Sequence, residues 1–486
     1  MRFLAHDLLE GRAPGTRGGR LAAEYLASQF AVAGALPAGE KGTYFQEVPL
    51  VSVRVRAGAI LRIRGGRGGE PIDLVWLEDF VGIPGAREAG EVSLSAPLVF
   101  VGSGGFGSES AADPPGAAKI QGKVVVAFAE PPPGRREKGS PGGKSSGRLS
   151  WRQKLEAARR AGAAGTLLIH SEEASGYPWE AVRATWGREA VGLEEDARTG
   201  LRFAGWLSWE AGQRLLTRAG HSAEALWKLE STQKPLRLPL KLEIQMHIPL
   251  VTRRLRSANA VAMIPGSAPE RRQETVVFLA HWDHLGTRAE GEDRVYNGAV
   301  DNATGCAALL ELARLWASLE KEPARTALFL AVTAGEPVEA GSRWYVRHPL
   351  MPLEKTRLLL SFDSLLPVGV PASVAVAGPA DAGVWAQIRD AARRLRLPIE
   401  SGSGQDNGFC ASPYWFVQAG VAAYRVRMGA RLAGRRDSAG AALWRSYLSR
   451  DYHRPTDEFH ADWDCAALAR IVEFAFLAGR MAADLP

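Results

Sequence analysis

The sequence predicts an α/β protein whose strands are covered on both faces, with a smaller α/β domain inserted in its first half. Three observations predict it. Short, near-continuous apolar runs (Val276–Ala280, Thr326–Val332, Arg357–Phe362 and Ser373–Ala377) read as strands buried on both sides. Segments of helical period lie among them. The texture of the chain also changes near Ser93 and again near Ser257, which sets off the stretch between as a separate piece.

Taken in order, the opening Gly11–Gly19 is turn-rich, and a helix follows. From Arg20 to Ala33, the apolar Leu21, Ala22, Tyr25, Leu26, Phe30 and Ala33 recur at helical spacing. Val48–Val55 and Ala59–Ile63 read as strands. The expected insert, residues 93–240, opens with buried strands at Leu98–Val101 and Lys123–Phe128. Glu130–Gly147 is Pro, Gly, Ser and charge, and is expected to be a solvated, mobile loop. An amphipathic helix at Trp151–Gly162 and a strand at Thr166–His170 continue the insert. Residues 1–92 and 241–486 are expected to form the main domain. There Thr304–Leu319 is a helix with Leu309, Leu312, Trp316 and Leu319 on one face. Asp381–Leu395 is a helix, Ala422–Val426 a strand and Cys465–Ala483 a closing helix.

The composition excludes several classes. The 486 residues are 46% hydrophobic and 23% charged, which suits a globular protein of two or three domains and excludes a disordered chain. Three cysteines (Cys306, Cys410 and Cys465) are too few for a disulfide scaffold and are expected to be reduced. No apolar stretch approaches the ~18 residues of a membrane span. The 60 Lys+Arg and 53 Asp+Glu leave a net charge of +7, but the charges are interspersed, so no nucleic-acid partner is expected.

Five polar side chains stand where strands end or helices begin. His281 closes a strand in AHWDHLG, and Asp301 precedes a helix in NGAVDNATG. Glu336 follows ALFLAVTA, Asp363 follows LLLSF, and His453 lies in YHRPTD before the last helix. In an open α/β sheet, sites form outside the carboxyl ends of the strands. Imidazole and carboxylate are suitable zinc ligands, and two His with three carboxylates suit a pair of ions sharing one carboxylate. Asp283, two residues after His281, is placed to orient that imidazole. Taken singly, each of these residues could be a cap or a solvated polar group; Asp301 in particular could be a helix N-cap.

The stretches AHWDHLG, YNGAVDNATGCAALLELA, FLAVTAGEPVEAGSRWYVRHP and YHRPTDEFH resemble the co-catalytic zinc exopeptidases of metallopeptidase family twenty-eight. That group comprises aminopeptidases, glutamate carboxypeptidases and glutaminyl cyclases. The opening LAHDLLEGRAPGTRGGRLAAEYLASQF resembles the lead-in of the same enzymes. LVFVGSGG, IQGKVVVAF and KLEAARRAGAAGTLLIH resemble the protease-associated domain that many of them carry. The resemblance implies a three-layer α/β/α sandwich, two zinc ions and a peptide substrate. It implies that His281 and Asp363 hold one ion, Glu336 and His453 the other, and that Asp301 bridges. It also implies export, whereas Met1-Arg2 is followed by only Phe3-Leu4-Ala5 before His6-Asp7, which lacks the ~7–15 apolar residues of an export signal.

Two positions depart from the family pattern. The family usually reads Thr-Ala-Glu-Glu, the first Glu acting as general base and the second as a ligand. Here the text is Thr333-Ala334-Gly335-Glu336, and Gly341-Ser342 keeps its usual distance, so the base position is Gly335. A general base is worth about 10²–10⁴ in rate. Glu339 is the nearest replacement in sequence. The second departure is at Ala411–Phe416, where Pro413 and Tyr414 stand in place of an Asp-His pair. Three functions follow as expectations. The first is an aminopeptidase-type hydrolase, with turnover impaired at Gly335. The second is a weak or inactive member that keeps the metal site and serves as a binding or structural protein. The third is another amide chemistry, such as N-terminal cyclisation or carboxypeptidase action.

Overall fold

The computed structural model describes residues 1–85, 90–102, 119–130, 149–196, 200–229, 236–379, 383–400 and 413–484. The expected mobile loop falls almost wholly on 131–148 and lies outside the described residues. Two compact units form: Met1–Leu50 with Leu255–Pro486, and Val51–Ser140 with Lys144–Arg254. The chain passes from one unit to the other inside the strands Phe45–Val55 and Leu238–Ile264. Each is one run of strand, so no change of texture marks either crossing.

In the first unit the elements that position the site are, in chain order, α1 (Arg17–Val32), β1 (Leu238–Ile264, by its last residues), β2 (Thr275–His281), α2 (Gly305–Ala317), β3 (Thr326–Val332) and α3 (Ala340–Arg347). They continue with β4 (Thr356–Phe362), β5 (Val374–Ala377), α4 (Trp385–Arg394), β6 (Ala423–Met428), α5 (Ala439–Arg450) and α6 (Ala466–Asp484). The sheet order is β1–β3–β2–β4–β6–β5. The four central strands are parallel, and β1 and β5 run antiparallel to their neighbours.

The burial of β2 explains why its sequence reads as continuously apolar. Successive side chains point to opposite faces of a sheet. Val276, Phe278 and Ala280 enter a core with Phe30 of α1, Leu312 of α2, Ile388 of α4 and Phe474 of α6. Val277 and Leu279 enter a second core with Tyr345 of α3 and Phe416. Helices therefore cover both faces, which gives three layers. Phe278 is central: it stacks on Phe329 with ring centres 5.6 Å apart and meets Trp316 edge-on at 5.7 Å. Gly479 lets α6 approach this ring, since a Cβ there would lie 2.7 Å from Phe278 Cζ.

The second unit has its own sheet and core. Glu91–Phe100, Val124–Phe128, Gly165–Ile169 and Phe203–Leu207 are parallel neighbours, and Phe80–Pro84 pairs antiparallel with the last. Helix Trp151–Arg160 starts at a capping box made by Ser150 and Gln153. A polar cluster is buried here. Lys154 Nζ donates to the carbonyls of Phe128 (2.9 Å) and Ala129 (2.6 Å), and the Tyr177 hydroxyl donates to Glu130 at 3.2 Å. His170 Nε2 lies 3.1 Å from the Tyr177 carbonyl oxygen.

Candidate metal centre

Three of the five expected side chains sit at the carboxyl ends of neighbouring parallel strands. His281 is the last residue of β2, Asp363 follows β4, and Glu336 is four residues beyond β3. Asp301 lies in a tight irregular turn, Ala299–Thr304, with φ −110° and ψ 87°; it does not cap α2. His453 lies between α5 and α6 with φ +56°, in the left-handed region.

The sequence tightens these loops against one another. The Asp457 carboxylate accepts the main-chain N–H groups of Val300 (2.8 Å) and Asp301 (3.0 Å) and the Tyr447 hydroxyl (3.2 Å). It ties the His453 loop to the Asp301 turn. Asn302 ties that turn to β4: its Nδ2 donates to the Phe362 carbonyl at 2.9 Å, and its Oδ1 accepts from the N–H of Ser364 at 3.3 Å.

The structure brings all five side chains together around the Asp301 carboxylate. One oxygen of Asp301 lies 3.2 Å from His281 Nε2, which is 3.7 Å from Asp363 Oδ1. The other lies 2.9 Å from His453 Nε2, which is 4.0 Å from Glu336 Oε1. Two groups of three donors result, His281–Asp301–Asp363 and Asp301–Glu336–His453, each with its ligand atoms within 4.8 Å of one another.

This cluster packs like and unlike charges together out of water. Burial pushes Glu336 up to about 7 and would do the same to Asp301, but the facing imidazoles of His281 and His453 hold Asp301 well below the usual range. His281 is lowered by burial yet ends well above its ordinary value, because Asp301 and Asp363 face it. His281 Nε2 and Asp301 Oδ1 make no hydrogen bond among the described residues. Orphaned buried polar atoms are costly and need a partner. Donors held at 2.0–2.2 Å around one tetrahedral ion stand about 3.3–3.6 Å apart, close to the separations observed. The residues fit a pair of zinc-like ions.

The other expected site residues are placed as follows. Asp283 meets the His281 ring through its main-chain carbonyl, 3.1 Å from Nδ1, while its carboxylate is 3.9 Å away and accepts the N–H of Gly335 at 2.8 Å. Gly335 packs on the His281 ring: a Cβ at 335 would fall 2.7 Å from His281 Cβ and Cγ. Glu339 is buried just before α3, with φ +52°. Pro413 and Tyr414 begin the short helix Tyr414–Gln418, and Ala411 and Ser412 lie outside the described residues. Cys306 is buried, donates to the His281 carbonyl at 3.3 Å, and is held as a thiol by burial, which pushes it up to about 11. Sequence reasoning missed Arg12, Asn302 and Asp457. All three stand in stretches already noted, LAHDLLEGRAPG, NGAVDNATG and YHRPTD, but they act mainly on main-chain atoms, which leave no pattern in sequence.

Residues 259–477 match the model of peptidase family M28. Family and donor set together support a metal-dependent peptidase. Among solved structures, the aminopeptidase from Aneurinibacillus sp. strain AM-1 is similar at 17% identity, over 99% of this chain and 93% of that one, with a TM-score of 0.54. The zinc aminopeptidase BSAP from Bacillus subtilis is matched at 17% identity, over 99% and 94% of the two chains, with a TM-score of 0.47. A peptidase M28 precursor from Shewanella amazonensis SB2B is matched at 18% identity, over 99% and 93%, also at 0.47. At such identities the first of these likenesses shows the fold alone. No curated protein matches the chain. Among the described residues no helix is long and apolar enough to cross a membrane.

Proposed function

We propose that the protein is a two-zinc exopeptidase that removes residues from the N-termini of peptides, and that its second unit is a protease-associated domain. One observation carries the metal assignment: the two oxygens of Asp301 face two separate histidine–carboxylate pairs. In this reading His281 and Asp363 hold one ion, Glu336 and His453 the other, and Asp301 both. When bound, the ions supply Lewis-acid polarisation of the scissile carbonyl and acidify water. The chain's own residues build the frame for this. Asp283, through its carbonyl, holds the His281 ring from the far side, which presents Nε2 to the centre. Asp457 and Asn302 fix the turn that aims Asp301. Gly335 has no side chain to take a proton, so hydrolysis runs without the usual carboxylate at that position and is slow by about 10²–10⁴.

The test is metal analysis of the purified chain together with hydrolysis of aminoacyl chromogenic amides. Two zinc ions per chain and release of the N-terminal residue are expected, with both zinc ions lost in Asp301→Ala. A chain that takes up no zinc sinks the reading. The close packing of Gly335 on His281 favours a second reading, in which the metal site is kept and the protein binds peptides without cutting them. Product analysis on a short peptide at saturating zinc separates the two: a released residue supports the peptidase, whereas retained intact peptide supports the binder.

A further inference from the structure

Arg12 is a fully buried arginine in the lead-in segment, far in sequence from every residue of the centre. Its guanidinium donates to main-chain carbonyls on both site loops: Nε to Trp282 at 2.6 Å, one terminal nitrogen to Gly298 at 2.7 Å, and the other to Asn297 and, at 2.9 Å, to Leu4. Trp282 stands between His281 and Asp283, and Asn297-Gly298 leads into the Asp301 turn. One rigid, planar group thus spans the two loops that carry His281 and Asp301.

The backbone is bent to deliver it. Glu10, Gly11 and Arg12 are all left-handed, with φ of 51°, 64° and 38°. Gly11 is required there, because a Cβ would fall 2.2 Å from the Gly286 carbonyl oxygen. Asn297 returns the contact, its Nδ2 donating to the Ala5 carbonyl at 2.8 Å and to Asp7 at 2.7 Å. A buried cation costs several kcal/mol unless its surroundings compensate. A fold that needed only a spacer here would use an apolar side chain.

We infer that Arg12 is a positioning residue of the metal centre: its guanidinium sets the spacing of the His281 and Asp301 loops and thereby the affinity for both ions. This rests on the two-zinc reading. Lysine keeps the charge but cannot span the carbonyls, because it presents one nitrogen where the planar fork presents three. Methionine keeps the length and loses both.

The experiment compares the parent chain with Arg12→Lys and Arg12→Met. Zinc affinity is read by competition with a chromophoric chelator, the visible spectrum of the cobalt(II)-loaded protein reports ligand geometry, and the unfolding midpoint is taken on metal-free protein. A loss of 10–100-fold in zinc affinity is expected in both variants, the range for groups that orient ligands from behind. An altered cobalt spectrum and a fall in kcat with KM changed less than twofold are expected with it. Affinity and spectrum within error of the parent overturn the inference, as does failure of both variants to fold, which would make Arg12 a determinant of the fold alone. A parent chain that binds no zinc overturns the two-zinc reading itself.

Discussion

At the scale of single residues, Gly335 is the position where sequence and geometry say different things. In sequence it is a missing carboxylate; in the structure it is also a close contact with His281. Restoring a side chain therefore disturbs a ligand. Gly335→Ala is expected to cost about 1–3 kcal/mol of stability by overpacking and to weaken zinc binding, read by denaturant unfolding and chelator competition. The five centre residues were legible because each sits beside a strand or helix signal, whereas Arg12 acts entirely on main-chain atoms and looked like part of a turn. Two buried titratable groups, Glu130 and His170, give a test in the second unit. Burial holds Glu130 up at about 7 against 4.5, so the folded unit keeps a proton that the unfolded chain releases. Its contribution to stability is full below pH 4.5 and is lost as pH rises to 7. Burial holds His170 down at about 4 against 6.5, so its contribution is full above pH 6.5 and is lost as pH falls to 4. Between pH 4.5 and 6.5 the two slopes oppose. Glu130→Gln is expected to leave stability rising with pH by about 3 kcal/mol, and His170→Gln to leave it falling by about 3 kcal/mol. Urea midpoints across this range decide; three parallel curves would dismiss both assignments.

At the scale of elements, legibility followed the strength of the periodic signal. The helices α2 and α6 and the strands β2, β3 and β4 were readable to within two residues, because they are buried along one stripe or on both faces. The helices α3 and α5 were not read. The residues preceding them, Glu339 and Ser438, make no side-chain capping bond, and α3 is only eight residues long. The long strand Leu238–Ile264 was masked by Pro239, Pro249 and the RRLR run. Its length comes from pairing with Ile60–Gly65, Glu91–Phe100 and β3 in turn, which is information outside its own sequence. The Asp301 turn resembles a helix start in sequence and is irregular in fact. Within the sheet, Phe278→Ala is expected to cost about 3–5 kcal/mol, because that ring touches β3, α2 and α6 together. Guanidinium unfolding of the first unit checks it, and a loss below 1 kcal/mol would show that the layer repacks.

At the scale of the whole molecule, each unit packs apolar cores of its own, which implies two separable unfolding events. Calorimetry on metal-free protein is expected to show two transitions. Zinc at a hundred times its dissociation constant should stabilise the first unit alone by about 2.7 kcal/mol for each ion bound, about 5.5 kcal/mol for two, and a chelator should reverse this. Equal displacement of both transitions would contradict that independence. The points where the chain passes between units were not legible, since both lie inside strands. One more consequence follows from how far apart in the chain the centre's parts lie. Arg12 reaches residues 270 and more positions away, and His453 meets Asp301 across 152. A chain still leaving the ribosome therefore holds no working centre until residue 457 has emerged.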